Sequence, residues 1–256
     1  MSDTLVVRDE QNGQLRRLIL NTPKANVLDA EMVAALRGQL QMVAESSDKP
    51  KLLVFEGEGK HFSFGASVEE HLPASVAQML EGFHAFFREL EALAIPTAAI
   101  VRGQCLGGGL EVAAFCGRVF AESSAVFAVP EIKLGVFPPI GALILPWRCG
   151  GARASELVIS GRSVAAEEAL AIGLVDELAD DAEQALAAWW ERSLAAHSAV
   201  ALRFAWQAAR RPIARALEEE LPKLEKLYLE QLMACEDPVE GLNAFLERRP
   251  PQWRHR

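Results

Sequence analysis

The chain has 256 residues, 50% of them hydrophobic and 24% charged, with a formal net charge of −9. That length and apolar content suit one sizeable domain, or a domain with an appendage, and exclude a disordered chain. The acidic balance argues against a nucleic-acid surface, which needs a basic face. It still allows an anionic ligand held by a few local cations and backbone N–H groups.

Leu5–Arg8 and Leu15–Asn21 alternate apolar and polar residues around Asn12-Gly13, which predicts a hairpin. Asn21-Thr22-Pro23-Lys24 reads as a loop, and Asp29 as the cap of a helix from Ala30 to about Ser46. Lys51–Glu56 holds the buried-strand run Leu52-Leu53-Val54-Phe55. Val76–Leu93 carries Met79, Phe83, Phe86, Phe87 and Leu90 at helical spacing, as a core stripe. Thr97–Val101 is a second buried strand, and Arg118–Ala121 and Ala125–Ala128 are short ones. Ala142–Leu145, Ala152–Ser160 and Ala165–Ile172 read as helices, and Leu174–Leu178 closes that section. From about Asp181 the pattern is helical only: Ala182–Ala196, Val200–Arg210, Ile213–Ala234 and Val239–Glu247. Strand, loop and helix thus repeat through the first three-quarters, which predicts an α/β fold with function on the loops after strands.

The four cysteines, Cys105, Cys116, Cys149 and Cys235, form no C-x-x-C pair and lie near no two histidines. Neither a zinc site nor a disulfide framework is predicted, and Cys105 reads as a small buried residue. The N-terminus shows no basic region leading into an apolar segment, and no charge-free apolar run reaches spanning length. A cytoplasmic location is the expectation. No G-x-S-x-G and no G-x-G-x-x-G after a strand occurs, which argues against an α/β-hydrolase and a dinucleotide enzyme.

Three loops stand out. Gly103–Glu111 runs Gly-Gln-Cys-Leu-Gly-Gly-Gly-Leu-Glu into the apolar segment Val112–Phe115. Three glycines let a backbone bend sharply and approach a ligand, and a helix starting there has unpaired N–H groups at its positive end. Read alone, the segment suits either a packing turn or a backbone donor beside a carboxylate, Glu111, that moves a proton. Pro130–Gly135 places a second acid, Glu131, after a short strand; a lone loop glutamate is most often only solvated. His61–Glu69 sets small residues between Phe62 and Phe64, which suits a turn with packing phenylalanines or a backbone near a ligand.

Together these loops resemble the crotonase superfamily, the enoyl-CoA hydratases and isomerases. Asn21–Leu28 resembles its N-R-P-x-A-x-N-A-L segment, Phe64–Val68 its A-G-A-D-[IL], and Gly103–Glu111 its G-x-x-x-G-G-G-x-E. Pro130–Gly135 resembles its P-E-x-x-x-G, and Asp237–Arg249 its closing D-x-x-E-G-x-x-A-F-x-E-[KR]-R. The resemblance implies a spiral of ββα units over residues 1–195, which carries the CoA and acyl site. It also implies a helical oligomerisation region over 196–256, and a homotrimer or dimer of trimers. It implies an acyl-CoA substrate and water, no metal, and no cofactor beyond the CoA moiety. Matched residue by residue, the donors to the thioester oxygen are the N–H groups of Ala66 and Gly108, and the catalytic acids are Glu111 and Glu131. Lys24, Ala25, Val27, Ser63, Gly65 and Ala66 fall at CoA-binding positions, and Phe62, Phe64, Phe137, Ile140 and Gly141 at the acyl pocket.

Two departures carry information. Ser67 stands where the family has Asp, and Phe137–Leu145 is bulky and apolar where the family has glycines and polar residues. Phe62–Pro73 and Cys105–Val112 are most similar to the branch that hydrates a cyclic dienoyl-CoA, cyclohexa-1,5-diene-1-carbonyl-CoA, in anaerobic benzoyl-CoA breakdown. A linear-chain hydratase, an isomerase, a thioester hydrolase, and a non-catalytic CoA- or RNA-binding scaffold are the competing readings. His61 and His71 flank the loop without an assigned part, and His84 and His197 read as structural. Lys24, Arg102, Arg248 and Arg249 are candidate phosphate contacts or ordinary surface charge.

Overall fold

A computed structural model describes residues 4–23 and 25–256. Strands β1 (Leu5–Glu10) and β2 (Leu15–Leu20) form the expected antiparallel hairpin, Leu5 opposite Leu20. β3 (Leu52–Gly57), β4 (Thr97–Val101), β6 (Arg118–Ala121) and β9 (Glu177–Leu178) add in parallel to give a sheet ordered β1-β2-β3-β4-β6-β9. A second sheet holds β5 (Gln104–Leu106), β7 (Val126–Ala128) and β8 (Val164–Ala165).

The continuous apolar run of β3 follows from burial on both faces. Leu53 and Phe55 point into the main core with α1 (Ala30–Glu45) and α2 (Val76–Ala92), while Leu52 and Val54 pack with Trp190 of α7 (Ala182–Ser193). The Asp29 carboxylate caps α1 by accepting from the Met32 N–H at 2.9 Å. Helix α3 (Gly108–Phe115) follows β5, α4 (Pro139–Cys149) and α5 (Gly151–Ser160) lie between β7 and β8, and α6 (Ala166–Ala171) follows β8.

The helical region departs from expectation at Pro212, where a break was predicted. Helix α8 runs unbroken from Ala199 to Glu219. The turn is held from outside: the Arg210 guanidinium stacks on Phe115 and Trp206 and pairs with Glu91 at 2.8 Å. Nor is Ile213–Ala234 one helix. α9 (Leu221–Lys226) starts afresh with Pro222 in its first turn, and a π-helical turn over Leu227–Gln231 and a short 3₁₀ turn over Leu232–Ala234 lead to α10 (Glu236–Leu246). Leu217 and Leu221 enter the main core. No helix among the described residues is long and apolar enough to cross a membrane.

Candidate active site

The two glycine-rich loops lie side by side because β5 stitches them together. Ser63 N–H donates to the Gln104 carbonyl at 3.1 Å, and Leu106 N–H donates back to the Ser63 carbonyl at 2.9 Å. Leu28 N–H donates to the Gly65 carbonyl at 2.9 Å, which fixes the other side of the loop. The Ala66 and Gly108 amides end up close together: a Cβ on Gly108 would stand 3.3 Å from Ala66 N and 3.1 Å from Phe83 Cζ. Gly108 opens α3, so its N–H has no partner in the helix. Neither amide donates to a protein acceptor among the described residues.

Gly107 N–H donates to the Ala128 carbonyl at 2.8 Å, which brings the end of β7 against the glycine turn. The chain then makes a 3₁₀ turn over Pro130–Leu134 that delivers Glu131 beside Gly107. Gly107 has φ +51°, and a Cβ there would stand 2.9 Å from Glu131 Oε1, so both backbone and space require glycine. Glu111 lines the same cavity from the first turn of α3. Its Oε1 accepts from the Gly141 N–H at 2.6 Å, at the start of α4. The two acids, 20 positions apart in the chain, thus share one cavity of about 570 Å³.

Burial governs their charge. Desolvation raises the Glu111 carboxyl to about 7, against the pull of the Gly141 and Ile140 amides. Desolvation, then the charge of Glu111, raises Glu131 to about 8; its Oε2 is buried with no protein partner. Burial disfavours charge on both carboxyls, and the charge of one disfavours ionisation of the other, so the two are not readily ionised together. An acid and a base thus stand beside two free peptide donors, which is the equipment for proton transfer next to a polarised carbonyl.

Val27, Phe64, Gly65, Ala66 and Phe137 also line the cavity. Several expected positions lie elsewhere. Phe62 and Ile140 are buried in the main core and are not walls of the cavity. Phe62 N–H is tied to the Arg102 carbonyl at 3.0 Å, which turns its ring inward. At the head of α4 the amides point at Glu111, so the Ile140 side chain faces the core. Gly141 is a backbone anchor for Glu111, not a wall. Ser63 faces inward too: its hydroxyl donates to the Asn26 carbonyl at 2.7 Å and accepts from Gly65 N–H at 3.0 Å. Ala25 offers its carbonyl to Phe64 N–H at 2.9 Å and is not on the cavity wall. Arg102 is engaged with Glu122 and Glu183 and is not free for a phosphate. Lys24 lies outside the described residues.

Gly241, Phe245 and Arg249 of the closing motif line the cavity too, while Phe83, His84 and Tyr228 line it without belonging to any motif. Phe83 serves both core and cavity, and His84 lines the cavity although its helical spacing suggests a structural part. Tyr228, Gly241, Phe245, Arg249 and Pro251 come from the C-terminal helical region. α10 packs on the Pro130–Leu134 turn, with Gly241 against the Leu134 carbonyl and the Trp253 ring. Lys133 lines the cavity as an exposed cation with no ion-pair partner among the described residues. The only available signal for it was its place two residues after Glu131.

The sequence profile of the Enoyl-CoA hydratase/isomerase family matches residues 10–256. The chain belongs to that family. It is 48% identical over 257 residues to a cyclohexa-1,5-dienecarbonyl-CoA hydratase of Thauera aromatica, covering 100% of this chain and 98% of that protein. It is 33% identical over 260 residues, with full coverage of both, to a 2,3-dehydroadipyl-CoA hydratase of Escherichia coli K12. Among solved structures, an enoyl-CoA hydratase from Mycobacterium avium subsp. paratuberculosis K-10 superposes with a TM-score of 0.83 at 26% identity, over 98% of both chains. The spiral of ββα units with a helical C-terminal region is therefore the family fold.

The buried glutamate pair has a consequence for stability. A carboxyl whose pKa is raised on folding, from an ordinary 4.5 to about 8 for Glu131, binds its proton more tightly in the native state. Its contribution is fully present below pH 4.5 and is lost as pH rises through about 8. Glu131→Gln removes that titration. Thermal melts at pH 5 and pH 9 should show the variant gaining on the wild type at the higher pH, by about 1 kcal/mol or more. An unchanged difference between the two pH values would mean that Glu131 is not raised.

Proposed function

We propose that this chain is a hydro-lyase that adds water to an α,β-unsaturated acyl-CoA thioester, and that the acyl group is a small ring, cyclohexa-1,5-diene-1-carbonyl. One observation carries the reading: two buried glutamates and two unpaired amides meet in a single cavity. The thioester oxygen accepts from Ala66 N–H and Gly108 N–H, which withdraws electrons from the β-carbon. A water between the carboxyls then loses a proton to one of them as its oxygen bonds to carbon. The resulting enolate takes a proton from the other carboxyl. The two glutamates have then exchanged protonation states, and one proton passed between them or through solvent restores the pair.

Glu111 is assigned as base and Glu131 as acid. The Gly141 amide favours a charged Glu111, while Glu111 itself disfavours charge on Glu131. One donor to a developing oxyanion is typically worth about 3 kcal/mol. Val27, Gly65 and Ala66, with the exposed Lys133, suit the CoA portion, whereas Arg249 on the same cavity is engaged with Glu240 and Glu247. The reading needs no group beyond that CoA moiety.

Phe64, Phe137 and Tyr228 supply flat apolar walls that suit a ring, and the substrate of the Thauera relative is of that kind. Loss of enoyl absorbance across a panel of cyclic and linear unsaturated CoA esters tests this. The cyclic dienoyl ester should turn over fastest; faster turnover of crotonyl-CoA would remove the ring and leave a linear-chain hydratase.

Exposed apolar side chains on α8, Val200 and Phe204, support assembly through the helical region over 196–256, as a homotrimer or a dimer of trimers. A cytoplasmic setting in aromatic breakdown fits that substrate. The sedimentation mass distinguishes the two assemblies.

A further inference from the structure

One wall of the cavity is built by side chains that no motif brought forward. α2 crosses the 221–231 segment so that His84 meets Glu225 and Leu80 meets Tyr228. His84 is fully buried; its Nδ1 is 2.8 Å from Glu225 Oε1, which also accepts from Arg88 at 2.7 Å. Burial works against charge on Glu225, but its bonds to His84 and Arg88 leave the carboxyl below its ordinary range. Burial lowers His84, so the ring is neutral at pH 7. With its proton directed at Glu225, Nε2 presents a lone pair. That Nε2 is buried without a protein partner, on a residue that lines the cavity.

Tyr228 is the only tyrosine in the chain and sits on the π-helical turn, a local widening that often marks functional positions. Its ring packs on Phe137 with centroids 5.2 Å apart, and its hydroxyl is buried with no protein partner. Burial, then the charges of Glu131 and Glu111, push the phenol up, so it remains a donor. Tyr228 Oη, His84 Nε2 and Glu131 Oε2 are thus all buried without a protein partner on residues that line the cavity; the phenol is a donor, the imidazole nitrogen an acceptor, and the carboxyl, assigned above as the acid, brings its own proton.

An alcohol matches this set, because one oxygen both accepts and donates. A methylene matches none of it. Burying such groups against an alkyl chain leaves each unsatisfied, at about 1–3 kcal/mol apiece. The same asymmetry lets sites built for a hydroxyl reject analogues that lack one.

We propose that Tyr228 and the His84–Glu225 pair form a hydroxyl-recognition subsite in the acyl cavity. It holds the oxygen that water contributes to the product and disfavours long unfunctionalised acyl chains. The proposal rests on the hydratase reading for the source of that hydroxyl, yet binding alone tests it.

Calorimetric Kd values are compared for two ring esters: a cyclohexenecarbonyl-CoA with a hydroxyl on the carbon β to the thioester carbonyl, and the same ester without it. The wild type should bind the hydroxylated ester at least about tenfold more tightly, equivalent to about 1.4 kcal/mol. Tyr228→Phe keeps the ring and removes the donor; it should bring that ratio to about threefold or less. His84→Asn retains a donor to Glu225 but has no Nε2, and should compress the ratio likewise. Should Tyr228→Phe fail to fold, as judged by circular dichroism, His84→Asn carries the test. A wild-type ratio near one, or variants that keep the full ratio, overturns the subsite. The hydratase reading fails separately, by absence of turnover of any unsaturated ester. In that event 3-hydroxybutyryl-CoA against butyryl-CoA still reads the hydroxyl preference.

Discussion

Glu111→Gln should lower hydration kcat by about 10³-fold while KM changes by no more than a few fold. The substitution keeps the volume and an acceptor for the Gly141 amide, so α4 has no reason to move. What disappears is the carboxylate proposed to take the water's proton. Glu131→Gln should cause a loss of the same order, because a hydratase needs both members of the pair. An enzyme that only shifts a double bond survives with one. Survival of either variant at a tenth of the wild-type rate would mean that hydration does not depend on both carboxyls. The pH profile supplies a second check. With Glu111 raised to about 7 and Glu131 to about 8, kcat should be greatest between them and fall on both sides.

Gly108→Ala should cost 10²- to 10³-fold in kcat, about 2.7–4 kcal/mol, the typical value of one donor to a developing oxyanion. The new methyl would stand 3.3 Å from Ala66 N, in the space proposed for the thioester oxygen, and 3.1 Å from Phe83 Cζ. Alanine is the better helix former, so the start of α3 should survive. The charge on the oxygen grows only as the transition state is approached, so the loss belongs in kcat more than in KM. Gly82→Ala is the control: its methyl would meet Val33 Cγ1 at 3.8 Å, an ordinary contact, one residue before Phe83. Equal losses in the two variants would assign the effect to movement of α2 and not to the amides.

Chemistry carried by short local patterns was legible from residue order. The strand–loop–helix repeat, the cap at Asp29, the glycine turn and the two glutamates all stand in the expected places. Side-chain direction was less legible. Phe62 and Phe64 are two residues apart, and only the ladder bond from Phe62 to Arg102 sends the first ring into the core. Ile140 falls in the segment expected to border the acyl group, but the head of α4 turns its amides toward Glu111 and leaves the Ile140 side chain in the core. Tyr228 and His84 gave no signal, because their meeting depends on how α9 and the π-helical turn lie across α2, elements about 140 positions apart in the chain. Pro212 misled for the same reason: long-range contacts of Arg210 outweighed a local breaker.

The packing of α10 over the Pro130–Leu134 turn makes the order of synthesis relevant. A nascent chain that has emerged only as far as Glu131 already owns both acids and both amides, yet Phe245, Arg249 and Pro251 are still inside the ribosome. That side of the cavity is missing until residues 241–251 have left the exit tunnel. Stalled chains that expose residues only up to about 240 should therefore be inert toward unsaturated CoA esters even though the sheet has formed, and turnover should appear once Pro251 has emerged.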